Sequence, residues 1–341
     1  MAGITKGVGI WKTILLVSLL ASGVAADRKK ALQLLAEGRK IQAQAYTGTG
    51  GGFQPGRFLS QMTGGYYYRA IEKFDQAIKE CPELAQAYAA RSLSLHFAGE
   101  NEAARADALK ALDLGGLDER ELILLGAPFQ GSQARKVYRR CMKLAKPNGF
   151  VYGMLWSALA QTYWYEGNFR GQARELEALL AWKAKYQPKY IAPDWSQLGH
   201  AHEVSGQLAK AEAAFRKAGD GDSLVRIYLH QSRWDEARAA LKRYRQQFEP
   251  DEIIVYAAGL DELQGRLKSV SREQLKAAHR LADGGTYYAF FLGLLQLRAG
   301  ETEAGRSTLD SFCRVMDGNP REWGVTMAWE IRKARERLAA L

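Results

Sequence analysis

Proline is scarce in this chain, eight copies in 341 residues, while alanine and leucine abound with Gln, Glu, Lys and Arg between them. Few chain breakers among strong helix formers point to an almost all-helical protein. Apolar residues make up 47% of the chain, ample for a core, so disorder is not expected. Cysteine is scarcer still. Cys81, Cys141 and Cys313 lie far apart with no metal-like spacing, and an odd number cannot all pair within one chain; they read as small buried thiols on helices. Histidine is also rare. His200 and His202 are two apart and fall on different helix faces, and His96, His230 and His279 add no ligand-like cluster, so no metal and no cofactor is expected.

The N-terminus carries an apolar run preceded by lysines. MAGITKGVGIWKTILLVSLLASGVAADRKK places Lys6 and Lys12 ahead of an apolar run from Ile14 to Leu20, with Val24-Ala25-Ala26 just before a charged segment. That order is a secretory signal peptide, residues 1–26, cut after Ala26. From Thr13 to Ala26 there are fourteen residues, short of the ~20 that span a bilayer. The mature protein is therefore expected to be periplasmic or secreted and not integral to the membrane; the alternative is tethering through an uncleaved N-terminal segment. Loss of 1–26 removes two lysines and no acid, so the formal charge of +11 becomes +9. Such a balance favours an anionic surface, and for an exported chain that means lipid headgroups, acidic polymers or acidic proteins rather than nucleic acid.

What the chain has in abundance is self-similarity. In WSQLGHAHEVSGQLAKAEAAFRKA, residues 195–218, Trp195, Leu198 and Gly199 are followed by Gly206, then by Ala211, Phe215 and Ala218. This resembles the tetratricopeptide repeat (TPR), W-x2-L-G-x2-Y followed by A-x3-F, with His202 where tyrosine is usual. The frame recurs: Ala70, Phe74, Ala77 and Pro82; Tyr88, Ser92, Gly99, Ala104, Ala108 and Ala111; Trp156, Leu159, Ala160, Tyr163, Gly167 and Phe169; Leu292, Gly293 and Gly300. In four repeats a small residue and a turn residue stand seven apart: Ser92 and Gly99, Ala160 and Gly167, Gly199 and Gly206, Gly293 and Gly300. Weaker pairs are read at 222–244 and 252–283, and 132–147 supplies the second helix of a degenerate one.

The resemblance covers residues 27–341. It implies an all-α, TPR-type α-solenoid, a right-handed superhelix of about eight helix hairpins with a concave groove, closed by a capping helix at 320–341. Between the first two helices, residues 47–66 stand as an insertion where a short turn would serve, and this insertion, marked by the glycines of AYTGTGGGFQPGRF (45–58), reads as a lid or docking arm.

Three apparent catalytic motifs fail on context. Gly51 and Gly56 have the spacing of a phosphate loop, but Arg57-Phe58 replace the Lys-Ser or Lys-Thr that holds phosphate and magnesium, and no buried strand precedes them. Gly221-Asp222-Ser223-Leu224 spells an esterase signature, yet it lies between two repeat helices, where Asp222 or Ser223 serves as an N-cap. His202-Glu203 begins a zinc-protease motif that Gly206 interrupts. No titratable pair stands at catalytic spacing, so the chain reads as non-catalytic.

The resemblance places the binding face on the first helix of each pair. The positions are Leu93, His96 and Phe97; Ser157, Gln161, Trp164 and Tyr165; Ser196, His200 and Glu203; Tyr287, Phe290 and Leu294. They suit an extended apolar or aromatic peptide, or a helix, unless neighbouring segments bury them. They lack the Lys, Asn and Arg of TPRs that clamp a C-terminal carboxylate. A second surface is basic: Arg135, Lys136, Arg139, Arg140 and Lys143 stand in two rows with no acid among them, either a solvated face or a docking stripe for an anionic partner. The expected function is an exported interaction scaffold binding envelope or secreted proteins in its groove; the other reading is a small-ligand or glycan-binding solenoid.

Overall fold

The computed structural model describes residues 27–45, 59–284, 286–317 and 327–341. All their regular structure is helical. The chain divides into two compact units, the first ending at Thr162 and the second running from Tyr163 to Leu341.

The first unit holds α1 (27–45) and α2 (Leu59–Glu80), α3 (Ala85–Phe97) and α4 (Asn101–Leu114), α5 (Glu119–Leu124) and α6 (Gly131–Leu144), and most of α7 (Phe150–Tyr165). The second holds the end of α7 with α8 (Phe169–Tyr186), then α9 (Ala192–Val204) and α10 (Leu208–Ala218), and α11 (Gly221–His230) and α12 (Trp234–Arg243). It continues with α13 (Pro250–Leu263) and α14 (Arg272–Gly284), α15 (Thr286–Arg298) and α16 (Thr302–Asp317), and ends with α17 (Ala328–Ala339). Eight helix pairs followed by a single helix are what the repeat frame predicts, and the all-α, TPR-type architecture is borne out.

Local chemistry sets the helix ends. Asp118 and Glu121 form a reciprocal capping box on α5, each carboxylate accepting from the other residue's amide at 2.9 and 2.8 Å. Asn168 caps α8 by accepting from the Gly171 amide at 2.9 Å. Asp220 caps α11 by accepting from the Ser223 amide at 3.0 Å, so the cap of the GDSL stretch lies just before it and not at Asp222 or Ser223. Ser223 itself is buried.

Within the hairpins, large side chains fill the space left by small residues on the facing helix. Gly38 of α1 faces Phe74 of α2, Gly199 of α9 faces Phe215 of α10, and Gly293 of α15 faces Leu309 of α16. Phe74, Phe215 and Leu309 are wholly buried, each worth roughly 1.5–3 kcal/mol of transfer free energy. A separate cluster around Leu122, Leu125, Val137, Cys141 and Leu155 seats α5 and α6. Burial pushes the Cys141 thiol up to about 12, in keeping with an inert core thiol.

Two expectations need adjusting. The insertion expected at 47–66 is shorter, because α2 begins at Leu59 and carries 59–66 as helix; residues 46–58 lie outside the described residues. Gly64 and Gly65 suggest loop, but a glycine in a helix costs only about 1 kcal/mol, and burying Tyr67, Ala70 and Phe74 in the same helix offsets it. The helix expected at 320–341 is observed at Ala328–Ala339; residues 318–326 lie outside the described residues, as does the expected signal peptide.

A Cβ on Gly199 would come 2.4 Å from Cε1 of Phe215. Gly199→Ala should therefore lower stability by about 1–2 kcal/mol, although alanine is the better helix former. The midpoint of urea unfolding reads the outcome, and a raised midpoint would contradict the close-approach account.

Candidate functional site

The hairpin turns give a common register. Six of them are marked by a residue with positive φ: Gly99 (+90°), Gly167 (+73°), Gly206 (+75°), Ser232 (+56°), Gly265 (+68°) and Gly300 (+85°). Ser232 is the one non-glycine with positive φ among the described residues, which is why the shortened repeat lacks the usual glycine signal. Two and three residues before the turn stand Phe97 and His96, Tyr165 and Trp164, Val204 and Glu203, His230 and Leu229, Leu263 and Glu262, Arg298 and Leu297. Six residues before it stand Leu93, Gln161, His200, Arg226, Gly259 and Leu294.

In the first unit, Phe97 is 44% exposed and its ring stacks on Tyr67 at 5.2 Å. His96 is half-buried, with Nδ1 2.9 Å from Oδ1 of Asn101. Gln161 is half-buried on α7, while Leu93 is buried instead of exposed. At the start of the second unit, Trp164 packs edge-on against Phe169 at 5.0 Å, and Tyr165 is 58% exposed.

Farther along the second unit the first-helix faces meet a different fate, because α17 packs on those of α11, α13 and α15. Trp329 stacks on His230 at 5.3 Å and meets Phe290 edge-on at 6.2 Å. Glu330 is 1% exposed, and its Oε1 lies 2.9 Å from Nε2 of His230. Arg337 donates to Glu262, which also accepts from Arg298 at 2.5 Å. Phe290 and Leu294 are therefore buried, not exposed as expected. Tyr287 is half-buried, its ring 6.3 Å from that of Tyr256.

His200 and Glu203 join this assembly. Oε2 of Glu203 accepts from Arg226 at 2.9 Å and lies 3.4 Å from Nδ1 of His200. Its Oε1 is 3.5 Å from Nδ1 of His230. His230 thus sits between a carboxylate of α9 and one of α17. Burial pushes the Glu203 carboxyl up, but Arg226 and the two histidines outweigh it and hold it below the ordinary value. For Arg226, burial works against the charge, and Glu203 and Glu330 more than restore it. Nearby, burial raises the Asp222 carboxyl although it accepts from the Tyr256 hydroxyl at 2.5 Å.

Glu203, Arg226, His230 and Glu330 thus form one buried ion network. Among the described residues, no group of three or more His, Cys, Asp or Glu stands ready to hold a metal. No helix among them is long and apolar enough to cross a membrane.

On the other surface, Lys136, Arg139, Arg140 and Lys143 of α6 are exposed. Arg140 pairs with Asp113 at 2.8 Å, and Arg135, half-buried, donates to the Thr162 hydroxyl at 3.3 Å. A cleft of about 440 Å³ lies among α8, α9 and α10, walled by Leu180, Ile191, Trp195 and Leu198. The Lys217 ammonium stands 4.2 Å from the Trp195 ring centroid.

No protein-family model matches the chain, and no curated protein does. Among solved structures the chain is similar to yeast Tom70 (TM-score 0.47, 12% identity, over 82% of this chain and 61% of that one). It is also similar to the MamA protein (TM-score 0.41, 15% identity, over 60% and 95%). A third is YrrB, "a TPR protein with an unusual peptide-binding site" (TM-score 0.37, 18% identity, over 50% and 84%). At these scores the hairpin architecture rests on the chain's own contacts.

Removing Arg226 would leave Glu203 and Glu330 buried without their counter-charge. Arg226→Leu should cost about 3–5 kcal/mol at neutral pH. Carboxyls without a partner in the core have raised pKa values, so the deficit should shrink on acidification as they take up protons. Urea midpoints across pH read both effects; a loss below about 1 kcal/mol, or one that grows in acid, would contradict the network.

Proposed function

We propose that this protein is a non-catalytic interaction scaffold, exported to the cell envelope, that binds a helical or extended segment of a partner protein on the faces of its first helices. One observation carries the reading. The register that α17 occupies in the later hairpins presents exposed aromatic rings in earlier ones, Phe97 in the first unit and Tyr165 in the second. Exposed aromatics at a position whose equivalents pack against a helix are what an interaction surface needs, since such rings bury large area at low entropic cost.

His96 lies beside Phe97 in the first unit, where Gln161 is half-buried on α7, and Trp164 precedes Tyr165 in the second. The basic face of α6 suits an anionic partner or surface as an accessory contact, through Lys136, Arg139 and Lys143. Export is inferred from the order of charges and apolar residues at the N-terminus. The cleft under Trp195 favours a second reading, in which a small apolar ligand or glycan is the cargo.

Capture from envelope extract separates these readings. The scaffold account expects a stable protein partner, its capture reduced about tenfold or more by Trp164→Ala with Tyr165→Ala, and a bait recovered from the host with Asp27 as its first residue. Unchanged capture by the double variant would sink the binding assignment, and a cytosolic protein retaining Met1 would sink export. Absence of any protein partner, together with a ligand that protects Trp195 from quenching, would favour the second reading.

A further inference from the structure

We infer that α17 is an exchangeable occupant of a helix-binding seat: it fills in cis a place on α11, α13 and α15 that a partner helix bearing an aromatic-acidic pair takes in trans. This rests on the proposed reading of first-helix faces as interaction surfaces, and it concerns the part of that surface which α17 covers.

The seat is a set of register positions rather than an end of the array. His230 and Arg298 stand two residues before their turns, Glu262 three, and Arg226 and Leu294 six. A helix that only closed the last hairpin would need contacts with α15 and α16. α17 has these, with Cys313 of α16 behind Ile331, yet it also reaches α11 through Glu330 and α13 through Arg337.

The chemistry of the grip favours exchange. A buried ion pair gains little over an apolar contact of the same shape, because desolvation offsets the attraction, and it fixes register more than it adds strength. Glu330 brings a charge into the core, and its Oε2 has no hydrogen-bond partner among the described residues. Nε of Arg226, buried in the seat, is equally without one. The seat thus holds an unmet donor, Nε of Arg226, which a helix carrying its carboxylate in a slightly different position would satisfy. A helix of this length has marginal stability alone. Its outer face carries Arg332 and Arg335, exposed and basic.

The anchors define the partner chemistry. It is an amphipathic helix with an aromatic residue and a following carboxylate to meet His230, Phe290 and Arg226, and a basic residue two turns later to meet Glu262.

The test uses the full chain and a fluorescent peptide of residues 327–341. Trp329→Ala with Glu330→Ala should release α17 and raise affinity for the peptide at least tenfold over the wild-type chain. A peptide carrying Glu330→Gln should lose most of that gain. Equal peptide binding by both chains, with the variant's helical circular dichroism intact, would overturn the proposal. Because the double variant removes buried groups, two further measurements keep it falsifiable. Arg337→Glu, at a half-exposed anchor, should raise peptide affinity in the same direction. In the wild-type chain, amides of α17 should exchange with deuterium through an opening that leaves α16 protected; exchange of α17 only with global unfolding would overturn the proposal. So would a wild-type dimer that the peptide dissociates, since that assigns the seat to a second copy. If these tests fail while capture through Trp164 and Tyr165 succeeds, the scaffold reading stands and only the exchangeable seat falls.

Discussion

A small residue on one helix facing a large one on its partner is the contact on which the rest of this structure depends. Where Gly38 meets Phe74, or Gly199 meets Phe215, the ring packs so close against the glycine that a Cβ there would force it to shift. That closeness buries the aromatic ring completely and commits the second helix to the core. It leaves the first helix with a face that its own hairpin does not cover, and function has to be sought there.

The fate of that face differs along the chain. Early hairpins place Phe97 and Tyr165 at the surface. In the later ones the first-helix faces carry ionisable groups: His230 and Arg298 two residues before their turns, Glu203 and Glu262 three, and Arg226 six. Charges on a surface destined for burial must be matched, and α17 supplies the matching set, Glu330 between His230 and Arg226, and Arg337 against Glu262. The polar character of these positions and the presence of a helix over them are two sides of one arrangement.

Much of the architecture was legible in the sequence because it repeats. The seven-residue interval between small residue and turn residue located the helix pairs, and even the shortened pair at 222–244 appears as α11 and α12. The candidate site was legible only in part. Frame alone put His200, Glu203, Tyr287 and Phe290 on the first-helix face, which is where they are, but it could not show that a helix far along the chain packs on that face. His230 carries no first-helix signal in the sequence because Ser232, not glycine, makes the turn that sets its register. Trp329 and Glu330 were passed over because the apolar stripe of the last helix runs through Met327, Ile331 and Ala334, and a carboxylate beside that stripe reads as solvent-facing unless its partners are known. Gly64 and Gly65 misled in the opposite sense, looking like loop while α2 runs through them.

The central claim is that a buried polar contact, not only apolar packing, seats α17 on the first-helix face. A double-mutant cycle on His230→Ala and Glu330→Ala, read by urea unfolding at neutral pH, tests it most directly. The account predicts a coupling of about 1–3 kcal/mol between the two sites, and losses that add to within ~0.5 kcal/mol would contradict it.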